Sequence, residues 1–270
     1  MSRCATIAVL VALWAVLGCQ GASDDTPEAK ATRALAEQTK IRDALLARGA
    51  PEMMQAAPKI DLNETQRPLD TQALMKELVK PVSQDIVTVG DIRVDMKLGR
   101  IEMPAKVALD QGVLEYLLVT TNGKAYESVF TTDVPALHLQ LALLMAGLQE
   151  SSAERKSPGD VVKLGLRFRK PGATADSEVS ANECLLDRSS GKAVSNIAWN
   201  FTGSPARSGR VWASLTGSMI ALRGDASAIL NAATDVGNPY AGPNTGVGVN
   251  TSAVPAVGTA VTLIISKAST

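Results

Sequence analysis

Between residues 100 and 147 the chain sets two β-prone runs around the dipeptide Asn122-Gly123 and then adds a helical segment that has no polar face. No other feature restricts the fold as much. Residues 113–121 and 124–131 are the strand candidates, and Asn-Gly accepts the positive φ of a tight turn, so the sequence predicts a β-hairpin. Thr132 or Asp133 then stands where a helix N-cap belongs, and Pro135 suits a first turn. In residues 136–148, Leu137, Leu139, Leu141, Leu143, Leu144, Met145 and Leu148 surround the helix axis almost completely. Such a segment is expected as the central helix of the core, with Gly147 near its end.

The remaining segments extend this picture. Residues 86–97 and 100–109 alternate around Leu98-Gly99 as a further hairpin, and residues 161–169 alternate as a strand with one wet side. Residues 180–188 read as a short helix, 196–202, 210–215 and 218–222 as short strands, and 225–231 as one or two helical turns. Residues 235–255 are rich in Gly, Asn, Pro and Thr and form a long loop, and residues 257–266 are apolar enough to be a buried closing strand. The expected class is α+β: a mainly antiparallel sheet with a central apolar helix packed on it, preceded by a helical tether at the amino terminus.

The beginning of the chain speaks to location. After Arg3, residues 5–17 are apolar, a run shorter than the roughly 20 residues a membrane span requires. Val16-Leu17-Gly18-Cys19 then forms a lipobox: small residues give a peptidase access, and the Cys19 thiol accepts the diacylglyceryl group. Residues 1–18 are thus a lipoprotein signal peptide, 19–82 the lipid anchor, flexible tether and loose helices over 28–48 and 71–79, and 83–270 the folded domain. Gln20, in place of an aspartate, points to the periplasmic face of an outer membrane. The partner expected first is therefore the membrane itself, through Cys19.

With 27 basic and 27 acidic residues, the chain lacks the basic excess that nucleic-acid binding requires. Cys4 leaves with the signal and Cys19 is acylated, so Cys184 stands alone. That excludes an intrachain disulfide and a cysteine-only metal or iron–sulfur site, and Cys184 is expected in the core.

The runs RIEMPAKVALDQGVLEYLLVT from Arg100, GKAYES from Gly123, HLQLALLMAG from His138, WNFTGS from Trp199 and GSMIAL from Gly217 occur in order through most of residues 86–266. In these runs the chain resembles the YdjY-domain proteins of bacterial envelopes. The resemblance implies no activity. Some relatives look ferredoxin-like and carry cysteine clusters for iron–sulfur centres, and this chain lacks those cysteines.

Chemistry is best sought at Glu115, Glu127 and His138, whose carboxylates and imidazole suit a metal or a shared proton. Parity argues against their union. With a two-residue loop Leu118 faces Glu127 and Glu115 faces Phe130, placing the acids on opposite sides of the sheet; a three-residue loop would put them on one face. Trp199, Trp212 and Tyr240 are candidates for lining a sugar- or peptide-binding groove, although such aromatics more often belong to a core or its rim. No G-x-S-x-G element or phosphate-binding loop occurs, so no catalytic residue and no cofactor are assigned. The expected function is a lipid-anchored, non-enzymatic binding or assembly module with an envelope protein or polymer as partner. The alternative is a metal-binding or accessory redox protein using Glu115, Glu127 and His138.

Overall fold

In the computed structural model of the chain, residues 71–268 are described, apart from 171, 195, 208 and 209. The lipobox, Cys19 and the helix expected over 28–48 lie outside the described residues.

Eight strands close into a barrel: β1 Arg100–Val107, β2 Tyr116–Thr120, β3 Ser128–Thr132, β4 Val161–Arg169, β5 Trp199–Phe201, β6 Ser218–Ala221, β7 Leu230–Ala232 and β8 Ala260–Lys267. Neighbours run β1, β8, β4, β5, β7, β6, β2, β3, and β3 returns to β1 with Lys106 opposite Thr131 and Val107 opposite Phe130. The α-helices among the described residues are short: α1 Thr71–Leu78, α2 Ala136–Met145 and α3 Ala213–Thr216. The expected α+β domain, a sheet under a central helix behind a helical tether, is therefore corrected to a mostly β barrel. A sheet closed on itself buries its own apolar face and needs no helix to cover it.

Alternation builds the long strands. β1 buries Ile101, Met103, Ala105 and Val107, β4 buries Val162, Leu164, Leu166 and Phe168, and β8 lies between them along most of its length. On the outer face Glu102 joins Arg100 at 3.2 Å and Arg167 at 2.7 Å, so residues that alternate with the core ones form an ion ladder. Residues 86–97 are a hairpin in themselves: Ile86–Val89 pairs with Ile92–Asp95 around Gly90, whose φ is +58°. The second arm continues onto β1, with Val94 opposite Ile101.

The largest departure is at Asn122-Gly123. β2 and β3 are parallel, with Tyr116 opposite Ser128 and Thr120 opposite Thr132, so the expected hairpin is not formed. Residues 121–127 carry the chain back along the barrel, ending in a 3-10 turn over Ala125–Glu127. This is shorter than the dozen or so residues a parallel connection ordinarily takes. Gly123 serves close approach here: a Cβ on it would lie 2.9 Å from Val119 Cβ and 3.0 Å from the Gly217 carbonyl. Gly217, at φ +76°, ends α3 and completes the contact between two backbones. The same device recurs, because β6 and β7 are also parallel and residues 222–229 join them. The two parallel pairs meet across the antiparallel β2–β6 pairing.

α2 is not central. It packs on the Ile86–Asp95 hairpin and on α3, burying Leu139, Leu141 and Leu143 while leaving Leu144 38% exposed. Its N-cap is Pro135, without a side-chain cap. Thr132 instead donates to the Pro104 carbonyl at 2.7 Å, and Asp133 accepts from Thr121 at 3.0 Å. The helix expected over 180–188 is strand Asp176–Ser180, a 3-10 turn over Ala181–Cys184 and strand Leu185–Asp187, with Ser180 and Glu183 forming a capping box. Residues 225–231 are a turn leading into β7, not a helical turn. The long loop holds a strand, Val247–Val249, paired to Leu185–Asp187 and to Val113–Leu114.

Candidate functional site

Parallel pairing decides where the two glutamates go. Glu115 directly precedes β2 and Glu127 directly precedes β3, so with Tyr116 opposite Ser128 the two lie side by side, and the Glu115 amide donates to the Glu127 carbonyl at 3.0 Å. The expected placement on opposite faces is overturned with the hairpin it assumed. Lys124 sits between the carboxylates: its Nζ is 3.3 Å from Glu115 Oε2, 3.5 Å from Glu127 Oε2 and 5.6 Å from the centre of the Tyr116 ring. Arg223 approaches Glu115 Oε1 at 3.6 Å from the other side.

Tyr240 closes the cluster by donating its hydroxyl to Glu127 Oε1. Its loop is held by Arg188, whose guanidinium donates to the carbonyls of Pro239 at 3.0 Å, Pro243 at 2.6 Å and Thr245 at 2.8 Å. Residues 237–246 are thus a pinned loop that delivers one phenol. Below it the Tyr116 hydroxyl donates to Asp225 Oδ2 at 3.0 Å, and Asp225 Oδ1 accepts from the Ser227 amide at 2.8 Å and hydroxyl at 2.7 Å.

The electrostatics follow from burial and neighbours. Burial pushes the Glu127 carboxyl above its ordinary value; Tyr240 and Lys124 oppose the rise, and Glu115 adds to it. For Lys124, burial pulls downward, but Tyr116, Glu127 and Glu115 together outweigh it and the ammonium is held above its usual range. Burial and the Asp225 carboxylate push Tyr116 up to about 12. For Asp225 burial raises the carboxyl, and the hydrogen bonds from Ser227, Ser218 and Tyr116 bring it below the ordinary value.

His138 is elsewhere. It packs on the Gly90 turn, so closely that a Cβ on Gly90 would lie 2.4 Å from its Nδ1, and burial lowers its pKa. Glu115, Glu127 and His138 are therefore not brought together, and among the described residues no three His, Cys, Asp or Glu side chains assemble as a metal site. The three aromatics separate as well. Trp199 is fully buried and donates Nε1 to Asn182 Oδ1 at 2.9 Å, Trp212 stands at the start of α3, and Tyr240 belongs to the glutamate cluster. Cys184 is buried in the core, and burial pushes its thiol up to about 12.

Two clefts flank the segment Gly224-Asp225-Ala226. The smaller, about 590 Å³, opens over Glu115, Tyr116, Arg223 and Asp235. The larger, about 840 Å³, runs beside α2. Its apolar side is Leu137, Leu141, Leu144 and Val211, and its polar side is Gln140, Glu150, Ser151, Thr202 and Asn231. Sequence reasoning missed Glu150 and this cleft, although the signal was present: leucines beyond what one buried face requires, followed directly by Gln149-Glu150. It also missed Lys124, Arg223, Asp225 and Arg188. Lys124 carries a weak signal, lying three residues before Glu127.

No curated protein and no solved structure matches this chain. Residues 92–266 match the YdjY domain, a span that begins in the hairpin preceding β1 and runs to within one residue of the end of β8. The match covers more than half of the chain and includes both clefts, and on it the chain belongs to the YdjY domain family.

Proposed function

We propose that this protein is a lipid-anchored component of the cell envelope whose barrel is a non-enzymatic binding module, with the larger cleft as its mouth. The anchor reading rests on the lipobox at Cys19. One observation carries the binding reading. The charged cluster at Glu115, Lys124 and Glu127 spends its charges internally, whereas the cleft beside α2 combines an apolar side with a polar wall, the usual character of a ligand site.

Photo-crosslinking in cells tests the mouth. A benzophenone amino acid in place of Leu144, in the cleft, is expected to capture an envelope component that the same probe at exposed Leu98 does not. Equal labelling at the two positions would sink the reading. Labelling with radioactive palmitate tests the anchor: the label should be lost in Cys19→Ala, and an unlabelled wild-type chain would remove the lipoprotein assignment.

A further inference from the structure

The lining of the larger cleft is one-sided in charge. It includes two carboxylates, Glu150 and Asp225, and no lysine or arginine. Asp225 is engaged by Tyr116 and Ser227, so its oxygens are committed. Glu150 differs. Its Oε2 accepts a hydrogen bond from Gln140 Nε2 at 3.5 Å, a long one, and Gln140 is otherwise tied to the Ser204 backbone at 2.9 and 3.2 Å. The adjacent Arg155 guanidinium donates its hydrogen bond to the Glu150 main-chain carbonyl at 3.1 Å and acts on the carboxylate only through space, opposing the rise that burial causes. Gly203 lets the carboxylate lie flat against the wall, where a Cβ would approach Oε2 to 2.4 Å. A half-buried carboxylate so thinly partnered gains most from an added cationic donor.

We propose that this cleft recognises a primary ammonium group carried on an apolar stem. The proposal rests on the reading of the cleft as the binding mouth. The ammonium pairs with Glu150, and Ser151, Thr202 and Ser204, which line the same cleft, carry further oxygen acceptors for its three N–H groups. The stem lies along Leu137, Leu141 and Leu144. A quaternary ammonium fits less well, since it donates no hydrogen bonds and the lining includes no aromatic ring to hold it. A carboxylate ligand would meet two charges of its own sign. The same chemistry has two sources, a free alkylamine or a lysine side chain.

Isothermal titration of the full chain in detergent, with micelles alone as the blank, tests this using hexylammonium, hexanol and hexanoate. Hexylammonium should bind at one site, at least tenfold more tightly than hexanol, and hexanoate should not bind. Glu150→Gln should weaken hexylammonium at least tenfold and leave hexanol unchanged, with a melting curve showing that the variant folds. Ala226→Arg, a substitution at an exposed position of the lining, should weaken hexylammonium likewise. Tighter binding of Nα-acetyl-lysine amide than of hexylammonium would identify a polypeptide lysine as the source, and the reverse order a free amine; either supports the proposal. Hexanol binding as tightly as hexylammonium would overturn the ammonium and leave the mouth. Binding of none of these compounds would overturn both.

Discussion

Two glutamates placed side by side are tolerated because Lys124 shares its charge between them. Glu127 is the more deeply buried, 9% exposed, and its carboxyl is raised. For an acid raised in the folded state, the unfolded chain gives up its proton first, so stability falls as pH climbs from about 4.3, the ordinary glutamate value, through the raised folded value. Lys124 limits that loss. Lys124→Met is therefore expected to cost little at pH 4 and about 1 kcal/mol at pH 7, read from urea unfolding at the two pH values. An equal cost at both would show that the lysine acts through packing of its stem. The identities of Glu115 and Glu127 were legible in the sequence; their adjacency was not. The parity argument took residues 113–131 as an antiparallel hairpin, and a parallel register places the residue before each strand on the same side.

At the scale of elements, what was legible was what local alternation determines. The strand at 161–169 and the closing strand near 257–266 were visible because one face is buried along the whole of the first and, at Val261, Leu263 and Ile265, along most of the second. The α2 helix was visible too, but its meaning was inverted. Its leucines exceed what its packing against the hairpin and α3 uses, and the surplus at Leu137 and Leu144 lines a cleft instead of a second core face. The loop over 237–246 was illegible for a different reason. Its order comes from Arg188, about fifty residues earlier, donating to three of its carbonyls. Arg188→Met keeps the stem and removes those bonds, and it is expected to cost about 2 kcal/mol. Faster amide hydrogen exchange in residues 237–246 than in β8 should accompany the loss. Unchanged exchange in the loop would show that Gly246 packing on Pro239 suffices to hold it.

The barrel as a whole is held shut by β8, which pairs Ala260–Ser266 with β1 on one side and Thr262–Lys267 with β4 on the other. A chain ending at Gly258 is expected to lose cooperative urea unfolding and near-ultraviolet dichroism together, because β1 and β4 are then linked only the long way round, through the other strands, and the barrel stands open along both of their edges. A sharp transition in that truncated chain would mean that the two strands can pair directly. Such closure was beyond the sequence because it joins segments far apart in the chain, and nothing local records that pairing. It also sets an order of events. As the chain is made, β1 emerges first of the barrel strands with one edge of its backbone donors and acceptors unpaired, and its partner β8 follows only after the other six. The seam cannot form until β8 has been made, so the nascent protein carries exposed strand edges throughout that interval. Those edges are the kind of surface that a holdase for extended, alternating segments binds, and they stay open to it until β8 has emerged.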